Sequence, residues 1–134
     1  MPKIRHLAIK TKNPARLAEF YAQVFDMKII NTEKSGAVYM SDGYLTLAIL
    51  NATSKGSTLP GLNHFGFKVE DRDAVMQLVV AQGAEEPTKR PDDRPYAEYR
   101  AYDLEGNMFD ISQHGFDMVE SNEEREKKEK VGAK

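Results

Sequence analysis

Residues 4–10 read IRHLAIK and residues 62–68 read LNHFGFK. In each, a histidine alternates with apolar residues and a lysine follows four positions later, although the chain has only three histidines. Period-two alternation is the mark of a strand with two differently solvated faces. It sends Ile4, His6 and Ala8 one way and Arg5, Leu7 and Ile9 the other. In the second stretch it sends His64 and Gly66 one way and Phe65, Phe67 and Val69 the other.

Each of these strands leads into the same series of elements. TKNPARLAEFYAQVF offers Asn13 as a cap, Pro14 at the first helical position, and Leu17, Phe20, Tyr21 and Val24 at three- and four-residue spacing. DRDAVMQLVVAQG offers Asp71 as a cap, Val75, Leu78 and Val79 as the apolar positions, and Gly83 as a terminator. KIINTE, AVYMS and YLTLAIL, parted by SG and DG turns, read as an antiparallel meander. YAEYRAY and NMFDIS around a DLEGN turn supply strands in the second half. NATSKGSTLPG, rich in turn formers, reads as the connection. Laying His64 on His6 lays Val75 on Leu17, Leu78 on Phe20 and Val79 on Tyr21. Laying Gly106 on Gly43 lays Asp110 on Leu47. The chain is therefore an internal repeat of roughly 60 residues per unit, each unit βαβββ, at about 3–51 and 61–115.

A chain of 134 residues is large enough for one core and one domain, placed at 1–120. The absence of cysteine removes disulfides, thiolate zinc sites and cysteine nucleophiles, and fits a reducing compartment, the cytoplasm by default. There is neither a signal-like N-terminus nor an apolar run of about 18 residues, so no membrane partner is expected. With net charge −2 and its basic residues interspersed among acids, the chain lacks a stripe suited to nucleic acid. SNEEREKKEKVGAK, residues 121–134, mixes both charges and reads as a frayed helix or a disordered end.

A tandem βαβββ with a histidine in the opening strand of each half, and Asp103, Gly106, Asn107 and Asp110 spaced as in DLEGNMFD, resembles the vicinal oxygen chelate superfamily. That group includes glyoxalase I, extradiol dioxygenases, fosfomycin-resistance thiol transferases, methylmalonyl-CoA epimerase and bleomycin-binding proteins. The resemblance spans about residues 3–115. It implies an α+β fold in which two modules form a curved, partly open mixed sheet with helices on its outer face. It also implies a metal site of His6, His64 and Asp110. The family's acid there is usually glutamate, and aspartate is one methylene shorter. Glyoxalase I takes a further acid from the fourth strand of the first half, where the repeat puts Leu47, so four-ligand chemistry is not expected.

Two imidazoles and a carboxylate leave open positions on a divalent ion, which could be iron, manganese, nickel, cobalt or zinc. Such an ion acts as a Lewis acid toward a bound substrate oxygen. The expected function is a metal-dependent lyase or isomerase on a small oxygen-bearing substrate. The alternatives are an iron(II) extradiol-type dioxygenase and a binding protein that holds a small molecule without turnover. Beside the triad, Asp110 and His114 are candidate catalytic residues, His114 as a proton shuttle at the rim. Arg100, Tyr99, Tyr102 and Leu47 are candidate substrate contacts, with Arg100 pairing a substrate carboxylate. A homodimer is expected, because open sheets of this size commonly cover their edges with a partner.

Overall fold

The computed structural model describes residues 2–53, 59–91 and 97–114. The expected tail at 121–134 lies outside the described residues. The elements run β1 (Lys3–Thr11), α1 (Pro14–Phe25), β2 (Lys28–Thr32), β3 (Val38–Ser41), β4 (Thr46–Asn51), β5 (Gly61–Lys68), α2 (Arg72–Ala81), β6 (Thr88–Lys89), β7 (Tyr99–Tyr102) and β8 (Met108–Ser112). The two-residue β6 has no sequence signal of its own, because TK between proline and arginine carries neither alternation nor an apolar run.

Both helices start where their caps say. The Asn13 side chain accepts from the Arg16 N–H and the Asp71 side chain from the Ala74 N–H, each satisfying a donor that the first turn leaves open. The turns before β4 and β8 share one device. Asp42 accepts from the N–H groups of Tyr44 and Leu45, and Asp103 from those of Glu105 and Asn107. Gly43 and Gly106 sit in these turns at φ 97° and 86°, a region that only glycine enters without strain.

The eight strands form one mixed, open sheet in the order β2-β3-β4-β1-β5-β8-β7-β6. Within each half the opening strand pairs parallel with the last strand, β1 with β4 and β5 with β8. The halves join where β1 runs antiparallel to β5. This is the α+β architecture that the repeat implies.

Side chains that are partners across the ladder share a face, so register sorts the molecule into two surfaces. One surface packs on the helices. Val38, Met40, Leu47 and Ile49 are buried there with Ala18 of α1, and Leu7, Ile9, Leu17, Tyr21, Ala22 and Met27 pack around them. Phe65, Phe67 and Phe109 form a ring cluster on the same surface in the second half, with centroids 5.6 to 6.2 Å apart. The other surface, the site face, carries His6, Ala8, Thr46, Ala48, His64, Gly66, Arg100 and Asp110.

Two expectations are corrected. Of the α1 positions read as one apolar face, Leu17 and Tyr21 meet the core but Phe20 and Val24 remain exposed, because the buried stripe runs through Pro14 and Ala18 instead. A register shift at Arg5 also moves Ile4 opposite Phe67, away from the side of His6.

Candidate metal centre

His6 comes from β1, His64 from β5 and Asp110 from β8, strands that are neighbours in the sheet. Register fixes their relation. Ala8 pairs with His64, His6 with Gly66, and Gly66 with Asp110, so the three side chains rise from one small area of the site face. Their nearest donor atoms all lie within 4.8 Å of one another. The side chains of His64 and Asp110 are 6% and 0% exposed.

Burial sets the protonation of His6. Loss of hydration, reinforced by neighbouring His64, pushes its pKa from 6.5 down to about 4, so the imidazole is neutral at pH 7 and keeps a lone pair. The two rings meet edge to face with centroids 5.0 Å apart. His64 has two partners for its ring protons, Asn63 Oδ1 at 2.7 Å from Nδ1 and Asp110 Oδ2 at 3.3 Å from Nε2. A proton on Nε2 donates to Asp110, whereas a proton on Nδ1 donates to Asn63 and leaves the Nε2 lone pair for an ion. The second is the tautomer of a ligating histidine whose other nitrogen is held by an outer partner.

Asp110 is the most constrained of the three. Burial opposes its charge, but hydrogen bonds from His64 and Arg100, together with the Arg100 charge, hold its pKa well below the usual carboxylate range. Arg100 donates from Nε to Oδ1 at 2.7 Å and from Nη2 to Oδ2 at 3.1 Å, a two-pronged pair. A second guanidinium, that of Arg90, places Nη1 3.6 Å from Oδ2.

The other expected site residues fall in different places. Leu47 is in the helix-side core, so it does not share the face of the three donors. The ladder makes Ala48 the counterpart of Asp110, since Ala48 pairs with Ala8 as Asp110 pairs with Gly66. Matching the glycines set that frame one residue off. Tyr99 also turns to the helix side, opposite Ile111, with the Arg72 guanidinium 4.9 Å above its ring. Tyr102 shares the face of Arg100 and is half-exposed. His114 is exposed, and its backbone N–H donates to Glu98.

Arg90 and Thr46 were not singled out by sequence. Arg90 continues from the unsignalled β6, and a threonine that pairs with a histidine carries no pattern. The Thr46 hydroxyl is buried beside His6 with no hydrogen-bond partner among the described residues.

A family model described as Glyoxalase/Bleomycin resistance protein/Dioxygenase superfamily matches residues 3–111. The chain belongs to that superfamily. No curated protein matches it in sequence. Solved structures of similar fold include hypothetical protein BH1468 from Bacillus halodurans C-125, with TM-score 0.64, 17% identity, and coverage of 82% of this chain and 92% of that one. The 2,3-dioxygenase LapB from Pseudomonas sp. KL28 has TM-score 0.67 and 19% identity over 84% of this chain, which spans 40% of that enzyme. Streptomyces coelicolor methylmalonyl-CoA epimerase, in complex with 2-nitronate-propionyl-CoA, has TM-score 0.58 and 19% identity over 83% of this chain and 94% of its own.

The donor set suits the divalent ion that this superfamily commonly uses. Two ligands each about 2.1 Å from a tetrahedral or octahedral ion lie about 3.0 to 3.4 Å apart, and His64 Nε2 and Asp110 Oδ2 stand at 3.3 Å. A donor nitrogen of His6 lies within 4.8 Å of both of the others. Opposing this is charge, because a dication about 4 Å from the Arg100 guanidinium would be repelled by about 8 kcal/mol at an effective dielectric of about 20. The residues therefore fit an ion, provided Arg100 stands aside.

Proposed function

We propose that the chain is a divalent-metal-dependent lyase or isomerase acting on a small oxygen-bearing organic substrate, with His6, His64 and Asp110 holding the ion. The convergence of those three donors from three adjacent strands on one buried spot carries this reading. When bound, the ion would supply Lewis-acid polarisation of a substrate oxygen. Neutral His6 offers its lone pair without first losing a proton, and Asn63 orients His64. Ala8, Ala48 and Gly66 share the face of the three donors and put little or no side chain beside them. Thr46, buried next to His6, offers a hydroxyl that can donate to or accept from a ligand. Tyr102, half-exposed on the face of Arg100, offers a hydroxyl to such a ligand. A soluble homodimer in the cytoplasm, covering the open edges at β2 and β6, belongs to the same reading; among the described residues no helix is long and apolar enough to cross a membrane.

The grip of Arg100 on Asp110 favours a second reading, a site that binds its small molecule without an ion. Metal content separates the two. Protein purified without an immobilised-metal column, exposed to cobalt(II) and desalted, is expected to retain one ion per chain by plasma mass spectrometry. The combined change His6→Ala, His64→Ala and Asp110→Ala should retain none. Stoichiometric cobalt in that variant would refute the assignment, and none in the wild type would leave the ion-free binding site.

A further inference from the structure

We propose that Arg100 occupies the cation position of this site in the ion-free chain, leaves Asp110 when an ion enters, and then takes the carboxylate of the substrate. The inference rests on the metal reading above and adds to it a competitor and a substrate class.

Three contacts place the guanidinium. Its Nη2 is 3.1 Å from Asp110 Oδ2 and 3.5 Å from His64 Nε2, so one nitrogen reaches two of the three side chains that would hold an ion. Its Nε holds the remaining oxygen, Oδ1, at 2.7 Å. The carboxylate is fully buried whereas Arg100 is 23% exposed, so the guanidinium has solvent to move toward and Asp110 has none. The backbone gives the arginine its reach, since Arg100 and Asp110 are direct partners between β7 and β8, and Tyr102 lies two residues on along the same face.

Charge then selects the substrate. The single negative charge of Asp110 faces two guanidiniums, those of Arg100 and Arg90. Replacing Arg100 by a dication at Asp110 leaves the ion and a displaced guanidinium close together, with Arg90 3.6 Å behind the carboxylate. An anion that meets the guanidinium while another of its oxygens meets the ion offsets this excess. The planar fork of an arginine matches a carboxylate by two parallel hydrogen bonds, which a lysine ammonium cannot reproduce. The class is therefore a small carboxylate with a second oxygen near it, such as a 2-oxo acid.

The test is calorimetric titration of cobalt(II) into wild type, Arg100→Gln and Arg100→Lys, each with and without pyruvate, with cobalt d–d absorption as a second readout. Pyruvate's own weak complex with cobalt is measured in a blank. Arg100→Gln is expected to bind cobalt at least about tenfold more tightly than wild type, which is about 1.4 kcal/mol. Arg100→Lys, which keeps the charge and loses the fork, is expected to fall between and serves if the glutamine variant does not fold. Pyruvate should tighten cobalt binding in wild type and not in Arg100→Gln. Equal cobalt affinity in all three proteins would overturn the competition while leaving the three-ligand assignment intact. Equal tightening by pyruvate in all three would overturn the carboxylate role. No cobalt binding in any of them would overturn this inference and the metal reading together.

Discussion

His6 should make this protein acid-sensitive in a window where its carboxylates are still quiet. Its folded pKa is about 4 against 6.5 when solvated, because burial strips the charged imidazole of water and His64 lies beside it. A histidine depressed in this way binds more protons in the unfolded chain than in the folded one between those two values. Stability therefore rises with pH through the window and is lost as pH falls. Integrating one site from about pH 7 to about pH 5 gives a loss of about 1.8 kcal/mol. Asp110 and Glu98, whose pKa values are lowered from 3.8 and 4.5, remain ionised when folded and contribute little until the medium is more acid. Urea unfolding of wild type and His6→Gln at the two pH values measures the term, as the part of the wild-type loss that is absent from the variant. Equal losses in both proteins would refute the reasoning.

Other perturbations act on named contacts. Ile49→Ala empties a fully buried position of the helix-side core and should cost about 3 kcal/mol in chemical denaturation, as such truncations do. Asp71→Ala removes the cap that accepts from Ala74 and should cost about 1 kcal/mol, read as a drop in melting temperature. Asn63→Ala releases the Nδ1 end of His64 and should weaken cobalt binding about 10- to 100-fold with little change in melting temperature.

The fold was legible because the repeat is written in two independent codes. The alternating frames at His6 and His64 specify the paired central strands, and the caps at Asn13 and Asp71 specify where each helix begins. Periodicity alone did not settle which side of α1 is buried. Phe20 and Val24 satisfy the apolar spacing as well as Ala18 does, yet the sheet takes the stripe with the smaller side chain. The short β6 was illegible because two polar residues hold their place only through pairing with β7. At the site, the convergence of His6, His64 and Asp110 was legible through the symmetry of the repeat. Their neighbours were not, because register decides them: the glycine frame puts Leu47 opposite Asp110, while the ladder buries Leu47 under the helices and presents Ala48. The same alternation sends Tyr99 under Arg72 and Arg100 onto Asp110.

The two halves share a backbone but divide the chemistry unequally. On the site face of the first half, β4 contributes Thr46 and Ala48, uncharged and small. In the second half β8 contributes Asp110 and β7 contributes Arg100, with Arg90 close behind. The second half thus sets Arg100 and Arg90 around Asp110, while β4 presents small uncharged side chains beside β1. The departure from glutamate makes sense within this asymmetry. Arg100 and Asp110 face each other across adjacent strands, and a short carboxylate stays close enough to its strand neighbour to be held at both oxygens. An extra methylene would carry the carboxylate farther from the sheet and out of the two-pronged grip. The aspartate and the arginine are therefore best understood as one unit. In it the short side chain keeps both carboxylate oxygens within reach of the guanidinium.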